Sequence, residues 1–378
     1  MNTPIRILQV VTYMGRGGLE TMLMQYYRHI DRNLVQFDFL VHRPFRADYD
    51  DEIEALGGKI YRLPRLVPWR RSYKKALSNF FAAHPEYRIV HVHQDCLSGV
   101  ILQAAQEHGV PVRIAHSHNS NQDFNWKYPI KRFYMRNIPT YATALLACGK
   151  AAGDWLFGGK AYQVLPNAID LDSYRPEASC RRSMRKELGI AENAFVVGHV
   201  GRFHPVKNHA FLLRVFAKIK KQRSNACLLL VGDGYLRQKI QKNAAKMGLS
   251  DCVIFTGVRQ DVPQLMQAMD VFILPSVAEG LPVTLVEAQA AGLPCVASTG
   301  VPRESGLTDL VRFLPLKAGF LAWSEQICQC QAVKADTHRL LEQAGYAIEK
   351  SAGKLQQYYL NMGEECVNGC VDGVYPHL

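Results

Sequence analysis

Short apolar runs alternate with helical stretches through the first part of the chain. Ile5–Val11, Phe37–Val41, Ile60–Leu63, Ile89–His93, Val112–Ala115 and Ala144–Ala147 read as buried strands. Between them, Asp51–Leu56, Tyr73–Ala83 and Leu97–His108 carry helical spacing. A second series of runs opens at Phe195–Val200 and continues through Leu228–Val231, Val253–Thr256, Val271–Leu274 and Cys295–Ala297. Strand and helix alternating in this way predict α/β architecture, with a parallel, doubly wound sheet in each half. The polar, charged stretch Leu171–Arg185 reads as the linker into the second half. Further on, Ala322–Gln331 and Thr337–Tyr359 are expected to be helical, and the tail from Asn361, with Gly363, Gly369 and Gly373, irregular.

At 378 residues the chain suits two domains rather than one core. Its 48% hydrophobic and 21% charged residues are an ordinary soluble mixture, and no apolar run approaches the ~20 residues of a membrane helix. The N-terminus MNTPIRILQVVTY runs directly into a strand and lacks a signal-peptide layout, so a cytoplasmic protein is expected. The ten cysteines mostly sit singly in apolar runs; Cys328/Cys330 and Cys366/Cys370 lack zinc-site spacing, so neither a metal nor a disulfide is expected. The net charge of +12 is not accompanied by a nucleic-acid-binding module, which leaves anionic small molecules or an anionic membrane face as partners. Arg62–Lys75 carries six basic residues and no acid around Leu66, Val67 and Trp69. Trp126-Lys127-Tyr128 with Lys131, Arg132, Phe133, Tyr134 and Arg136 form a second such patch. Two readings stay open for these patches: peripheral contact with anionic lipid at the inner membrane face, or a solvated loop and a packed helix.

Candidate chemistry collects where strands meet helices. Met14–Glu20 is a glycine-rich turn after the first strand, but Glu20 stands where a dinucleotide fingerprint needs its last glycine. Gly201-Arg202-Phe203-His204-Pro205-Val206-Lys207-Asn208 follows another strand and fails the P-loop pattern. Its arginine and lysine nonetheless suit a diphosphate, one as a planar fork and the other as a point charge. In PSVAEGLPVTLVEAQAAGLPC, Glu279 precedes a helix that opens at Leu281-Pro282 and runs to about Ala291, and Glu287 lies within it. The helix N-terminus between the two acids is a ready anion site, although two such glutamates alone read more simply as solvated acids. His116-Ser117-His118-Asn119 ends a strand. As i and i+2 on an extended segment, the two histidines are expected on opposite faces, with one of them in a site.

The segment from Glu279 to Glu287, with its Pro-Ser, Glu-Gly and Gly-Leu-Pro surroundings, closely resembles the E-x7-E motif of family 4 (group 1) retaining glycosyltransferases. The overall pattern is most like bacterial exopolysaccharide and capsule enzymes. That resemblance implies a GT-B fold, two Rossmann-like domains facing a cleft: 1–168 binding the acceptor, 169–345 binding a nucleotide sugar, and 346–378 a returning helix plus tail. It implies that Glu279 contacts the transferred sugar and Glu287 the ribose. Amides of Gly280, Leu281, Val283 and Thr284 would hold the diphosphate with Arg202 and Lys207, and Gly17 and Gly18 would face it. Arg259 would line the nucleobase region, and His118, with His116 as the fallback, would stand near the sugar. The implied reaction moves a hexose-type unit from a nucleotide diphosphate donor, a UDP-sugar by preference, to a glycan or lipid-linked glycan with retention and without a metal or other cofactor. A GT-B nucleotide-sugar epimerase, a phosphorylase-type transferase requiring inorganic phosphate or pyridoxal phosphate, and a non-catalytic glycan- or membrane-binding scaffold are the alternatives.

Overall fold

Seven strands, all parallel, form the first sheet: β1 (Ile5–Val11), β2 (Val35–Val41), β3 (Ile60–Arg62), β4 (Ile89–Val92), β5 (Val112–Ser117), β6 (Ala144–Ala147) and β7 (Gln163–Val164), in the order β3-β2-β1-β4-β5-β6-β7. The computed structural model describes residues 3–120, 128–330 and 335–368. Six more parallel strands form the second sheet: β8 (Phe195–Val200), β9 (Ala226–Val231), β10 (Val253–Gly257), β11 (Val271–Leu274), β12 (Cys295–Ser298) and β13 (Val311–Leu314), ordered β10-β9-β8-β11-β12-β13. Each sheet belongs to its own compact unit, Met1–Ile169 with Ala347–Leu378, and Asp170–Tyr346. In both, the strand order reverses beside the first strand, between β1 and β4 and between β8 and β11. Such switch points open a crevice at the carboxyl ends of the strands, where doubly wound folds take ligands.

The helix Ile348–Asn368 completes the first unit. Its Ile348, Ala352, Leu355, Tyr358, Tyr359 and Met362 enter the core built on Ile7, Phe37, Phe39 and Tyr26. The irregular tail expected from Asn361 is therefore helical as far as Asn368. Gly363 does not break it, because a Cβ there would meet Ile5 Cδ1 at 2.6 Å, so the glycine lets the helix lie on β1. The single helix expected over Thr337–Tyr359 is two, His338–Gln343 and Ile348–Asn368, separated at Gly345 with φ +88°. Gly369 and Gly373 lie outside the described residues.

In the second unit, β11 is pinned at its first end by Asp270. This buried carboxylate accepts from Arg185 Nη2 at 2.8 Å and the Val196 amide at 2.7 Å, with Arg181 as a second cation. Arg185, itself buried on the helix Ala178–Glu187, spends its other donors on the carbonyls of Ala268, Glu192 and Ala194. Cys96, Cys148, Cys180, Cys227, Cys252, Cys295, Cys328 and Cys330 are free thiols. Among the described residues no helix is long and apolar enough to cross a membrane.

Candidate active site

At the switch point of the second sheet, the loops after β8 and β11 meet. Val277 donates its amide to Val206 O at 2.8 Å, and Glu279 donates to Gly300 O at 3.1 Å, which fixes the acidic loop. A short turn, Pro205–Lys207, carries the lysine, and Asn208 in the left-handed region (φ +55°) leads into the helix His209–Gln222. Lys207 Nζ and Glu279 Oε1 lie 2.6 Å apart, both mostly shielded from solvent. A charge pair this close and this sheltered is held together strongly, and either member alone would be costly. Arg202, on the same loop, is exposed and has no carboxylate partner among the described residues. Gly232 makes the packing around this loop feasible: at φ +127°, a Cβ on it would come within 2.4 Å of Gly201 O.

The helix begins at Val283, with Pro282 as its cap, two positions later than Leu281. Proline sits just outside the first helical turn because its extended backbone ends the loop. The amides of Val283 and Thr284 occupy the turn that has no intrahelical acceptor. The Thr284 hydroxyl beside them is buried and has no hydrogen-bond partner among the described residues. Glu287 follows one helical turn after Val283 and is partly exposed. Burial pushes its carboxyl up to about 7, while a hydrogen bond from Tyr174 pulls it back. Arg259 also follows a strand of this sheet, β10, but its guanidinium is engaged by Asp261 at 2.7 Å and Glu187 at 2.8 Å.

The first unit places a different chemistry at its own switch point. Gly17 caps the helix Gly18–His29, and the turn before it needs Gly15, whose Cβ would lie 2.4 Å from the Tyr13 ring. After β4, Asp95 adopts a left-handed backbone (φ +43°), an uncommon state for a non-glycine residue. Its carboxylate accepts from the His118 amide at 3.2 Å and from Asn119, fixing the loop after β5. The rings of His116 and His118 are 4.0 Å apart, so the expectation of opposite faces fails. In an extended strand, i and i+2 share a face. The same period puts His91 and His93 on that face of neighbouring β4, and the four rings form one cluster. The sequence signal for it is the same His-x-His spacing in His91-Val92-His93 and His116-Ser117-His118, the first of them inside the run Ile89–His93.

Three of these residues, His91, His93 and His116, bring ring nitrogens within 4.8 Å of one another, close enough for a nitrogen-donor metal set. That set includes no carboxylate, and its nitrogens are paired by hydrogen bonds, His91 Nε2 with His116 Nδ1 at 3.1 Å and His93 Nδ1 with His118 Nε2 at 2.8 Å. Burial drives all four rings toward the neutral form, with His118 lowered to about 3.

The family described as glycosyl transferases group 1 matches residues 194–328, and Glycosyltransferase Family 4 matches residues 16–173. EpsF of Bacillus subtilis, whose name assigns it provisionally as a glycosyltransferase, is 38% identical over 369 residues, covering 94% of this chain and 96% of its own. This chain is a family 4 glycosyltransferase. The UDP-Gal:alpha-D-GlcNAc-diphosphoundecaprenol alpha-1,3-galactosyltransferase of Escherichia coli is 30% identical to the transferase over 311 residues, 79% of this chain and 80% of that one. Anabaena HepE, solved in complex with UDP and with UDP-glucose, superposes with a TM-score of 0.77 at 20% identity, covering 93% of this chain and 98% of its own. With WaaG, a glycosyltransferase of lipopolysaccharide biosynthesis (TM-score 0.65, 17% identity, 93% and 94% covered), it establishes the fold of the transferase as GT-B.

Proposed function

We propose that this transferase moves a hexose from a UDP-sugar to a lipid-linked glycan during cell-surface polysaccharide synthesis, retaining the anomeric configuration and needing no metal. The observation that carries the reading is the Lys207–Glu279 pair at 2.6 Å, set where the loops after β8 and β11 converge. As the diphosphate leaves, negative charge develops on it, and preorganised donors supply the largest stabilising contribution. Lys207, Arg202 and the amides of Gly280, Leu281, Val283 and Thr284 are those donors. Glu279 accepts hydroxyls of the transferred sugar and Glu287 those of the ribose. Gly17 and Gly18 give the diphosphate a close backbone approach, and His118 accepts a sugar hydroxyl. Arg259 lines the base region through its aliphatic stem. The names of the Escherichia coli enzyme and of the HepE complexes support UDP-galactose or UDP-glucose as donor and a diphosphoundecaprenol-linked sugar as acceptor.

The acceptor reading also fits the surface. Trp69 is 58% exposed, among the exposed Arg65, Arg70, Arg71, Lys74 and Lys75, and Phe133 is 62% exposed on the helix Tyr128–Arg136. Trp126 and Lys127 of the second patch lie outside the described residues. Basic side chains around an exposed indole suit an anionic membrane face on the cytoplasmic side. The test is turnover of UDP-galactose and UDP-glucose with an undecaprenyl-diphosphate-linked sugar, with and without EDTA. Unchanged rates in EDTA and an α-linked product support the proposal. A changed nucleotide sugar formed without acceptor would replace it with epimerisation.

A further inference from the structure

The histidine cluster is one end of a longer hydrogen-bonded chain whose polarity can be followed atom by atom. Gln9, buried on β1, places its amide oxygen 2.8 Å from His93 Nε2 and its amide nitrogen 3.2 Å from the Tyr359 hydroxyl. Tyr359, from the helix Ile348–Asn368, lies 2.7 Å from His91 Nδ1. His91 Nε2 meets His116 Nδ1, and His93 Nδ1 meets His118 Nε2. One unbroken series therefore runs His116–His91–Tyr359–Gln9–His93–His118.

An amide oxygen only accepts, so His93 carries its proton on Nε2. A neutral imidazole has one N–H, which leaves His93 Nδ1 bare and makes His118 Nε2–H its donor. His118 Nδ1 is then a lone pair. On the other branch, the Tyr359 oxygen accepts from Gln9 and its hydroxyl proton goes to His91 Nδ1. His91 Nε2–H donates in turn to His116 Nδ1, and the proton of His116 falls on Nε2, a buried atom without a partner among the described residues. Turning the one amide over would reverse every bond in the series and make His118 a donor at Nδ1.

We propose that Gln9 is a positioning residue: through His93 it holds His118 as the Nε2–H tautomer and so presents a bare Nδ1 as acceptor for a sugar hydroxyl. This rests on the reading of His118 in the sugar site. Burial keeps the acceptor neutral across the working pH range. A neutral lone pair takes an O–H and repels a carboxylate, so an uncharged hexose fits this position better than a uronic acid.

Long-range proton–nitrogen NMR of the full-length protein with 15N-histidine reports the tautomer of each ring, assigned through the His118→Asn and His93→Asn spectra. The wild type is expected to show His118 as the pure Nε2–H form. Gln9→Leu should give mixed His93 and His118 tautomers and a roughly tenfold lower kcat with little change in donor KM. Gln9→Glu keeps an acceptor for His93 Nε2 and should restore the Nε2–H pattern at His118. Tyr359→Phe removes the hydroxyl that meets both His91 Nδ1 and the Gln9 amide nitrogen, and should disturb His91 and His116 directly. An Nδ1–H His118 in the wild type, or an unaltered His118 pattern in Gln9→Leu, overturns the proposal. Tautomers that respond to Gln9 while turnover does not would uphold the relay and remove His118 from the sugar site.

Discussion

Glu287 gives the transferase a pH dependence whose size follows from its surroundings. The carboxyl stands at about 7 instead of near 4.5, because burial disfavours the charge more than the Tyr174 hydrogen bond favours it. In the proposed role, accepting from two ribose hydroxyls, it must be ionised. One pH unit below its midpoint only about a tenth of the molecules are ionised, so apparent donor affinity at about pH 6 should be roughly tenfold weaker than at about pH 8, or ~1.4 kcal/mol. The stability effect has the opposite sign. A raised carboxyl is easier to bury protonated, so its folding penalty is absent below the ordinary carboxyl range. The penalty grows between about 4.5 and 7 and is complete above that. The shift corresponds to on the order of 3 kcal/mol, lessened by solvent screening because Glu287 is partly exposed. Calorimetric titration with UDP-glucose, whose diphosphate diester does not titrate in this range, measures the affinity; thermal melts of the ligand-free protein measure the stability. In the folded protein His118, His199 and His209 are lowered to about 3, 4 and 2, so they leave the affinity window clear. In the melts they oppose Glu287, because the unfolded rings bind protons below about 6.5, and the Glu287 effect is read as the difference between wild type and Glu287→Gln. Glu287→Gln should flatten the affinity curve and remove the fall in stability that Glu287 contributes between about 4.5 and 7, and Tyr174→Phe should move the midpoint further up. A wild-type affinity that does not change between about pH 6 and 8, or a Glu287→Gln protein with the same slope, would refute the reasoning.

Lys207→Ala should lower kcat/KM by roughly 100-fold or more, as removal of one preorganised donor does. It should also lower the melting temperature by stranding the sheltered Glu279 carboxylate, and Lys207→Ala/Glu279→Gln should recover melting temperature without recovering turnover. Asp270→Ala leaves Arg185 buried without its carboxylate and should cost about 3–5 kcal/mol in denaturant unfolding. Trp69→Ala with Lys74→Glu and Lys75→Glu should weaken sedimentation with anionic vesicles by about 1 kcal/mol per basic residue changed, leaving neutral vesicles and turnover on a soluble acceptor unaffected.

Most of the parallel strands were legible because they are short runs dominated by apolar residues, and the site loops were legible because glycine, proline and acidic residues cluster at strand ends. Strands with weaker burial were not. β7 is two residues, and β13, Val311–Leu314, has no fully buried residue to mark it. Helix starts shifted by one or two residues, as at Val283, where the chain turns only after Pro282. Lys207, Glu279 and Thr284 could be named because short motifs fix their place beside a helix end. Gln9, His91, His93 and Tyr359 could not, because they meet only once β1, β4, β5 and a helix some 350 positions later are packed together. Tyr174 is hidden for the same reason, its link to Glu287 spanning most of the second unit.

The two units put their chemistry at equivalent places and treat charge in opposite ways. Around β8 and β11 stand charged side chains and one shifted carboxyl: Lys207 paired with Glu279, the exposed Arg202, and Glu287 raised to about 7. Around β1, β4 and β5 the groups that could ionise are held neutral by burial and by one another, and their hydrogen bonds are assigned by a single amide. In the proposed reaction diphosphate departure needs fixed charge, whereas an uncharged sugar needs hydroxyl partners that do not switch state. The pH profile of turnover should therefore carry one acidic limb, set by Glu287, and none from the histidines. In the kcat/KM profile of Glu287→Gln that limb should disappear, and its persistence would assign the titration to the histidine cluster instead.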